Sequence, residues 1–338
     1  MSSLRTAVVG VGRLGTFHAR IYAENPSAEL IAVVDADEER AGALAAELGC
    51  QAVSTVEALL ELGPEAVSVA VPTAHHAEVA IPLLEAGVPV LVEKPLASDV
   101  EEADRILAAA RRGGAALAVG HVERFQPGLV KVRELGIQPR FIECHRLSPF
   151  SFRSTDIGVV HDLMIHDLDL VLDLVDSEVV SVDAAGGAIL TEREDVASVR
   201  LVFENGARAN VTASRASLKP LRRFRLFSSE GYVSLDFGEN HGLLVRKGGS
   251  WEEGRSRIAA LDPAQLAQLA GQADSTLAGM LDIVHLELGE GQRPLQAELD
   301  SFLSSVRSKT TPEVTGEDGR RALDLADRIV EAIQSQQW

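Results

Sequence analysis

The sequence predicts an α/β protein of two domains. Residues 1–121 form a Rossmann-type dinucleotide-binding domain on a parallel sheet, and residues 122–338 form an α+β domain with a large open mixed or antiparallel sheet. Three observations carry this. Short β-branched runs alternate with helical patterns between residues 4 and 120, a Gly-x-Gly-x-x-Gly turn follows the first run, and from about residue 121 the apolar pattern changes to alternation. A chain of 338 residues is also too long for one ordinary core.

The first-half strands read as Thr6–Val9, Leu30–Val34, Ala66–Val71, Val88–Val92 and Ala116–Val119. Helical spacing over Arg13–Glu24, Asp37–Leu48, His75–Glu85 and Asp99–Arg111 separates them. Strands that are apolar throughout need cover on both faces, which is the parallel-sheet arrangement. In the second half, Phe141–Leu147, Val179–Ala184, Val196–Phe203, Ala207–Ser214, Arg222–Phe227 and Tyr232–Phe237 alternate as half-buried strands do. Gly248–Arg257 reads as an exposed loop, and Asp262–Leu288 as helical with interruptions.

The turn Gly10-Val11-Gly12-Arg13-Leu14-Gly15 joins a strand to a helix, the context that a dinucleotide fingerprint requires. Gly10 permits the tight turn, Gly12 lets a pyrophosphate approach the backbone, and Gly15 lets helix and strand pack closely. The helix that opens at Arg13 and Leu14 offers its N-terminal N–H groups to the phosphates. Asp35 ends the second strand about 20 residues after Gly15, where an acid takes the adenosine ribose hydroxyls. A carboxylate there repels a 2′-phosphate, so the expected cofactor is NAD; Arg40, on the next helix, is counted with this site. Ligands of open parallel sheets lie beyond the carboxyl ends of the strands. Pro72, Thr73 and His76 follow one such strand, and Glu93 and Lys94 follow another. Lys94 is held between a buried strand and Pro95, since proline restricts the residue before it to extended geometry.

Charge and composition exclude other classes. A net charge of −18 argues against a nucleic-acid surface, which needs a clustered basic face. No apolar run of about 18 residues is present to span a membrane. The opening residues enter the first strand without a signal-type apolar region, and the two cysteines lack metal-ligand spacing. A cytoplasmic location, reduced thiols and no metal are the expectation.

Between Gly158 and Val175 the spacing is helical. On a wheel of 100° steps, Asp162, His166, Asp169 and Asp173 fall within roughly 60° of each other on an otherwise apolar helix. Such a stripe marks either a rim helix or the wall of a cleft.

Several stretches carry a resemblance: the glycine turn with His18 after it, Ala70–His76, Glu85–Pro95 with its Glu93-Lys94-Pro95, and Thr315–Leu323. Over essentially the whole chain the protein resembles the glucose–fructose oxidoreductase, inositol dehydrogenase and MocA family. The resemblance implies an NAD-dependent dehydrogenase of a sugar or polyol hydroxyl. It further implies a homodimer or homotetramer built through the second sheet, and a C-terminal helix, 317–335, that packs back on the first domain. The family places an Asp-x-x-x-His pair where Asp162 and His166 stand, which brings that helix to the catalytic site. His166 is then the candidate base and Lys94 an ammonium that stabilises the developing alkoxide, with Asp162 orienting the substrate or His166. Lys94 with a lowered pKa is the alternative base.

Gly120–Pro127, the run from Arg146 through Asp167, and Thr212–Arg215 resemble the branch of the family that oxidises C3 of UDP-N-acetylglucosamine to the 3-keto sugar, a step toward the 3-amino sugar of lipid A. Where that branch has Val-Leu-Asp, this chain has Val160-His161-Asp162. Arg124, Arg146, Arg153 and Arg215 are the arginines expected to meet a diphosphate, since guanidinium forks fit phosphate oxygens bidentately. Other readings keep the fold and change the substrate to inositol, another polyol or UDP-N-acetylglucosaminuronate. An NAD-dependent glycosidase with no net redox, or a non-catalytic NAD sensor, changes the class.

Overall fold

The run Leu4–Val9 forms strand β1, buried from Thr6 onward, because its small and β-branched side chains pack on a pleated surface covered from both sides. In the computed structural model, which describes residues 3–151, 157–270, 280–286, 288 and 293–336, β1 is one of six parallel strands. The others are β2 (Ala28–Val34), β3 (Gln51–Val53), β4 (Ala66–Val69), β5 (Val90–Glu93) and β6 (Leu117–Gly120), in the order β3-β2-β1-β4-β5-β6. Five helices connect them: α1 (Arg13–Glu24), α2 (Glu38–Leu48), α3 (Val56–Glu61), α4 (His76–Glu85) and α5 (Val100–Gly113). One apolar layer gathers Val67, Val69, Leu83, Val92 and Ile106. The other gathers Val8, Tyr22, Val33 and Leu91. The order reverses between β1 and β4, which puts the ligand crevice at their carboxyl ends.

β3 and α3 were not anticipated from the sequence. β3 is three residues long, with Gln51 and Ala52 exposed at the sheet edge, so it shows no apolar run. The helix expected from His75 starts one residue later, after a 3₁₀ turn at Thr73–His75.

The second sheet has eight strands in the order β14-β13-β12-β11-β7-β10-β9-β8. α6 (Pro127–Glu134) precedes β7 (Phe141–Leu147), and α7 (Ile165–Val175) leads into β8 (Val179–Gly187). Then follow β9 (Val196–Phe203), β10 (Arg208–Ser214), β11 (Leu221–Phe227), β12 (Gly231–Asp236), β13 (His241–Lys247), α8 (Trp251–Ala259), α9 (Pro263–Ala270) and β14 (Leu281–Leu286). β7 and β10 run parallel while the other neighbours are antiparallel, so the sheet is mixed. Ile142 and Cys144 in β7, and Leu226 and Phe224 in β11, show the expected inside–outside alternation. The loop expected over 248–257 is instead largely helix α8. It buries no residue fully, and only Trp251, Gly254 and Ile258 are half-buried, a stripe too sparse in apolar side chains to read from the sequence. Of the segment 262–288, Pro263–Ala270 is helical as expected and Leu281–Leu286 is strand β14, while 271–279 and 287 lie outside the described residues.

Contact density divides the chain into two units that interleave in sequence. The first takes in Met1–Gln126, Val160–Asp173 and Gly291–Ser335, and the second Pro127–Val159, Leu174–Glu290 and Gln336–Trp338. The sequence reading placed one boundary between residues 121 and 122 and put the Asp162–His166 segment beyond it. Packing assigns that segment to the first unit, because its polar groups are matched there by Lys94 and Arg124. α10 (Pro294–Ser308) buries Leu299, Phe302 and Leu303 against the sheet. α11 (Gly316–Gln334) starts at a capping box of Thr315 and Asp318 and packs on β6 and α5. No described helix is long and apolar enough to cross a membrane.

Candidate active site

The carboxyl edge of the parallel sheet opens into a groove of about 940 Å³, within the range of small-molecule sites. Gly10, Gly12, Leu14, Asp35, Arg40, Pro72, Glu93 and Lys94 line it, all of them expected there. Gly10 has φ +86°, and a Cβ on it would come within 2.8 Å of the Ala70 carbonyl. A Cβ on Gly15 would run into the Gly10 carbonyl, so helix and turn touch through bare backbone. Gly12 has no atom within 4 Å of where a Cβ would stand, so its surface is open to a ligand. Gly12 is also the N-cap of α1, without a side-chain cap and without an acid in the first turn, and Arg13 follows it exposed. By contrast, Asp37 and Asp99 cap α2 and α5. An uncapped, acid-free helix start behind a glycine turn suits a pyrophosphate.

Asp35 is held rather than loose. Its Oδ2 accepts the Val11 N–H at 2.7 Å and its Oδ1 accepts the Asp37 N–H at 2.9 Å, tying the end of β2 to the glycine turn. Arg40 lies 3.0 Å from Asp37 and 3.6 Å from Asp35, so its charge is shared among carboxylates. Thr73 sits in the 3₁₀ turn beside the groove-lining Pro72 and His75. Of the two adjacent histidines, His75 lines the groove and the expected His76 does not. His76 is 1% exposed, with Nδ1 3.0 Å from the Pro95 carbonyl and Nε2 3.0 Å from that of Val71. Burial holds its pKa below the usual imidazole range. It fastens the Pro72 turn to the Lys94-Pro95 turn, with both ring nitrogens engaged by backbone carbonyls.

Glu93 and Lys94 leave the end of β5 in opposite environments. The Glu93 carboxylate packs on Gly120, where a Cβ would stand 2.8 Å from it, and lies 3.0 Å from Nε2 of the buried His18. Lys94 reaches the other way. Its Nζ donates to the backbone carbonyl of Asp162 at 2.7 Å and stands 3.9 Å from the Asp162 carboxylate.

Asp162 sits in a π-helical turn, Val160–Met164, that precedes α7. The expected wheel assumed an α-helix throughout, and a π turn breaks that geometry; such turns recur at functional sites. The polar stripe is accordingly divided. Asp162 serves Lys94, His166 stands half-buried at the start of α7, and Asp169 and Asp173 turn to Arg124. His161 is bound by Asp327 of α11 at 2.8 Å, which anchors the π turn.

Two of the four arginines, Arg124 and Arg215, are engaged by internal partners. Arg124 is a buried structural residue: its Nε and Nη2 grip Asp169 at 2.8 and 2.6 Å, and Nη1 donates to Asp173 at 3.0 Å. Arg215 likewise donates to Asp195 at 2.7 Å and to the Ile157 carbonyl at 2.7 Å within the second unit. Burial of Asp195 opposes its charge, but the Leu190 N–H, Arg215 and further N–H groups outweigh it and hold the carboxyl well below the usual range. Guanidinium forks filled by internal carboxylates are not presented to a diphosphate. Arg146 is buried on β7 in register with Arg222 on the neighbouring β11, and Arg153 lies outside the described residues.

Comparison with known proteins agrees with this geometry. Residues 4–121 match the model of an oxidoreductase family with an NAD-binding Rossmann fold, and residues 129–234 match the GFO/IDH/MocA C-terminal domain. The chain belongs to the Gfo/Idh/MocA oxidoreductase family. It is 38% identical over 338 residues to UDP-N-acetylglucosamine 3-dehydrogenase of Acidithiobacillus ferrooxidans, covering 99% of each chain. A solved structure of that enzyme superposes with a TM-score of 0.86 at 36% identity, again over 99% of each. Inositol 2-dehydrogenase of Rhizobium meliloti is 26% identical over 98% of this chain and 97% of its own. As an oxidoreductase of this family the protein carries its cofactor groove in the Rossmann unit, and the residues lining the groove fit NAD.

Proposed function

We propose that the protein oxidises a secondary hydroxyl of a sugar with NAD, and that the sugar is UDP-N-acetylglucosamine, oxidised at C3. The supporting observation is the Lys94 ammonium at the end of the cofactor groove, oriented by both the carbonyl and the carboxylate of Asp162. Gly10, Gly12 and Gly15 with the α1 N-terminus hold the pyrophosphate, and Asp35 holds the adenosine ribose. When bound, NAD supplies the hydride acceptor. Lys94 donates a hydrogen bond to the reacting hydroxyl and stabilises negative charge as its proton leaves. His166 takes that proton, and Asp162 keeps Lys94 aimed.

The substrate assignment rests on the 38% identity over the full chain, since Arg124 and Arg215 are engaged elsewhere. On this reading the product is the 3-keto nucleotide sugar that an aminotransferase converts toward the 3-amino sugar of lipid A. Incubation with NAD and a panel of UDP-N-acetylglucosamine, UDP-N-acetylglucosaminuronate and inositols should give NADH and a keto product with the first alone. NADH from an inositol and none from the nucleotide sugars would refute the substrate. Cleavage of a glycoside without net NADH would replace the dehydrogenase with a redox-neutral glycosidase.

A further inference from the structure

The chain enters the first unit at Val160, and the π turn is the first thing it builds there. The end of the turn runs on into α7, but its start has no earlier helical turn of that unit to rest on. Val160 and Met164 hold it on the apolar side, both fully buried. On the polar side the imidazole of His161 meets Asp327 of α11, Nε2 to Oδ1 at 2.8 Å. An ionised carboxylate only accepts, so Nε2 carries the proton and donates it into this hydrogen bond.

α11 is firmly seated at the other end of that bond. The Thr315–Asp318 capping box closes its start, and Arg320 donates to Asp104 of α5 at 2.6 and 3.2 Å. Arg111 of α5 lies 3.2 Å from Glu317. Leu325, Ala326 and Ile329, which flank Asp327, are buried, so the backbone that carries the carboxylate is fixed by packing. The residue after His161 is Asp162. Its carbonyl accepts from the Lys94 ammonium at 2.7 Å, and its carboxylate lies 3.9 Å from it. That carbonyl belongs to the backbone of the turn, so a rotation of the turn carries the acceptor with it. Printed contacts and chain bonds therefore run without a break from α11 through Asp327, His161 and Asp162 to Lys94.

We propose that His161 and Asp327 are positioning residues for Lys94: their hydrogen bond ties the π turn to the last helix and so sets the direction in which the ammonium is held. The side chains of the pair are 22% and 33% exposed. As a plain surface pair it would contribute little, and its loss would leave Lys94 as it is. The effect on turnover rests on the proposed role of Lys94, whereas the hold on the ammonium does not.

Variants of the full chain test the tie: His161→Ala, Asp327→Ala, the two together, and His161→Gln, whose side-chain N–H stands near the place of Nε2. Competitive acetylation of amines followed by mass analysis, with the exposed Lys131 as reference, reads the reactivity of Lys94. Steady-state kinetics with UDP-N-acetylglucosamine gives kcat and KM, and fluorescence quenching gives NAD affinity. Each alanine variant should raise the labelling of Lys94 several-fold. Each should also lower kcat roughly tenfold, the worth of one hydrogen bond to a charged group, with KM and NAD affinity little changed. The double variant should match the single ones, because all three remove the same interaction, and His161→Gln should restore most of both quantities. Should an alanine variant fail to fold, Asp327→Asn, which keeps the shape and weakens the acceptor, should shift the labelling the same way by less. Labelling of Lys94 that stays at the wild-type level, effects of the two alanines that add, or a loss that glutamine does not restore would each overturn the proposal. If the wild type oxidises no sugar offered, the reaction reading fails, and the labelling of Lys94 still decides the tie.

Discussion

Lys94→Ala is expected to lower kcat by about 10²–10³-fold or more while leaving NAD binding largely intact, because removal of one donor aimed at a developing oxyanion typically costs that much. The geometry separates the two outcomes. On the proposed reading, the glycine turn, the α1 N-terminus and Asp35 hold the cofactor, and their geometry does not depend on the ammonium. The ammonium itself is turned toward Asp162 on the π turn. Titration of NAD fluorescence quenching alongside steady-state kinetics measures both quantities on one preparation. Loss of NAD affinity in step with kcat would mean that Lys94 serves the cofactor instead of the substrate.

Arg124→Ala is expected to destabilise the fold by about 3–5 kcal/mol, the cost of removing one partner from a buried ion pair. Its side chain is 4% exposed and that of Asp169 is 1%, so the variant strands a carboxylate away from water. Asp173 and Asp318 lose a counter-charge at the same time. Burial alone would lower the Arg124 pKa, but the attraction of Asp169 and its neighbours more than reverses this, so the guanidinium is charged at every accessible pH. Urea unfolding gives the loss directly. Arg124→Leu combined with Asp169→Asn should recover a large part of it, since an apolar group beside a neutral amide leaves no orphaned charge. A stable Arg124→Ala protein with weakened nucleotide-sugar binding would restore the diphosphate role that the sequence suggested.

These two residues show where the sequence was legible. Lys94 could be found because its constraints are local: a buried strand precedes it and proline follows it. The glycine turn and Asp35 were readable for the same reason, each lying within one strand–turn–helix unit. An arginine offers no such local information. Whether its fork meets a phosphate or a carboxylate depends on the tertiary partner, and for Arg124 that partner, Asp169, is 45 residues away in sequence. The π turn was hidden because a helical wheel presumes a constant 100° step, which Val160–Met164 does not keep. His161 had no readable role because Asp327 is 166 residues further along the chain. Short, largely exposed elements such as β3 and α8 escaped because they carry at most a sparse apolar period. Glu298 was missed altogether: a lone acid on an amphipathic helix reads as surface, and only the packing of α10 shows it to be 2% exposed.

The central claim is that this groove carries hydride from a sugar carbon to NAD, with Lys94 at the reacting hydroxyl. The most direct measurement uses UDP-N-acetylglucosamine deuterated at C3 with unlabelled NAD, followed by mass analysis of both products. The account predicts reduced cofactor carrying the deuterium and a keto sugar that has lost it, with both formed about 10²–10³-fold more slowly by Lys94→Ala. Reduced cofactor without deuterium, or labelled sugar recovered unchanged under conditions where another sugar is oxidised, would contradict it.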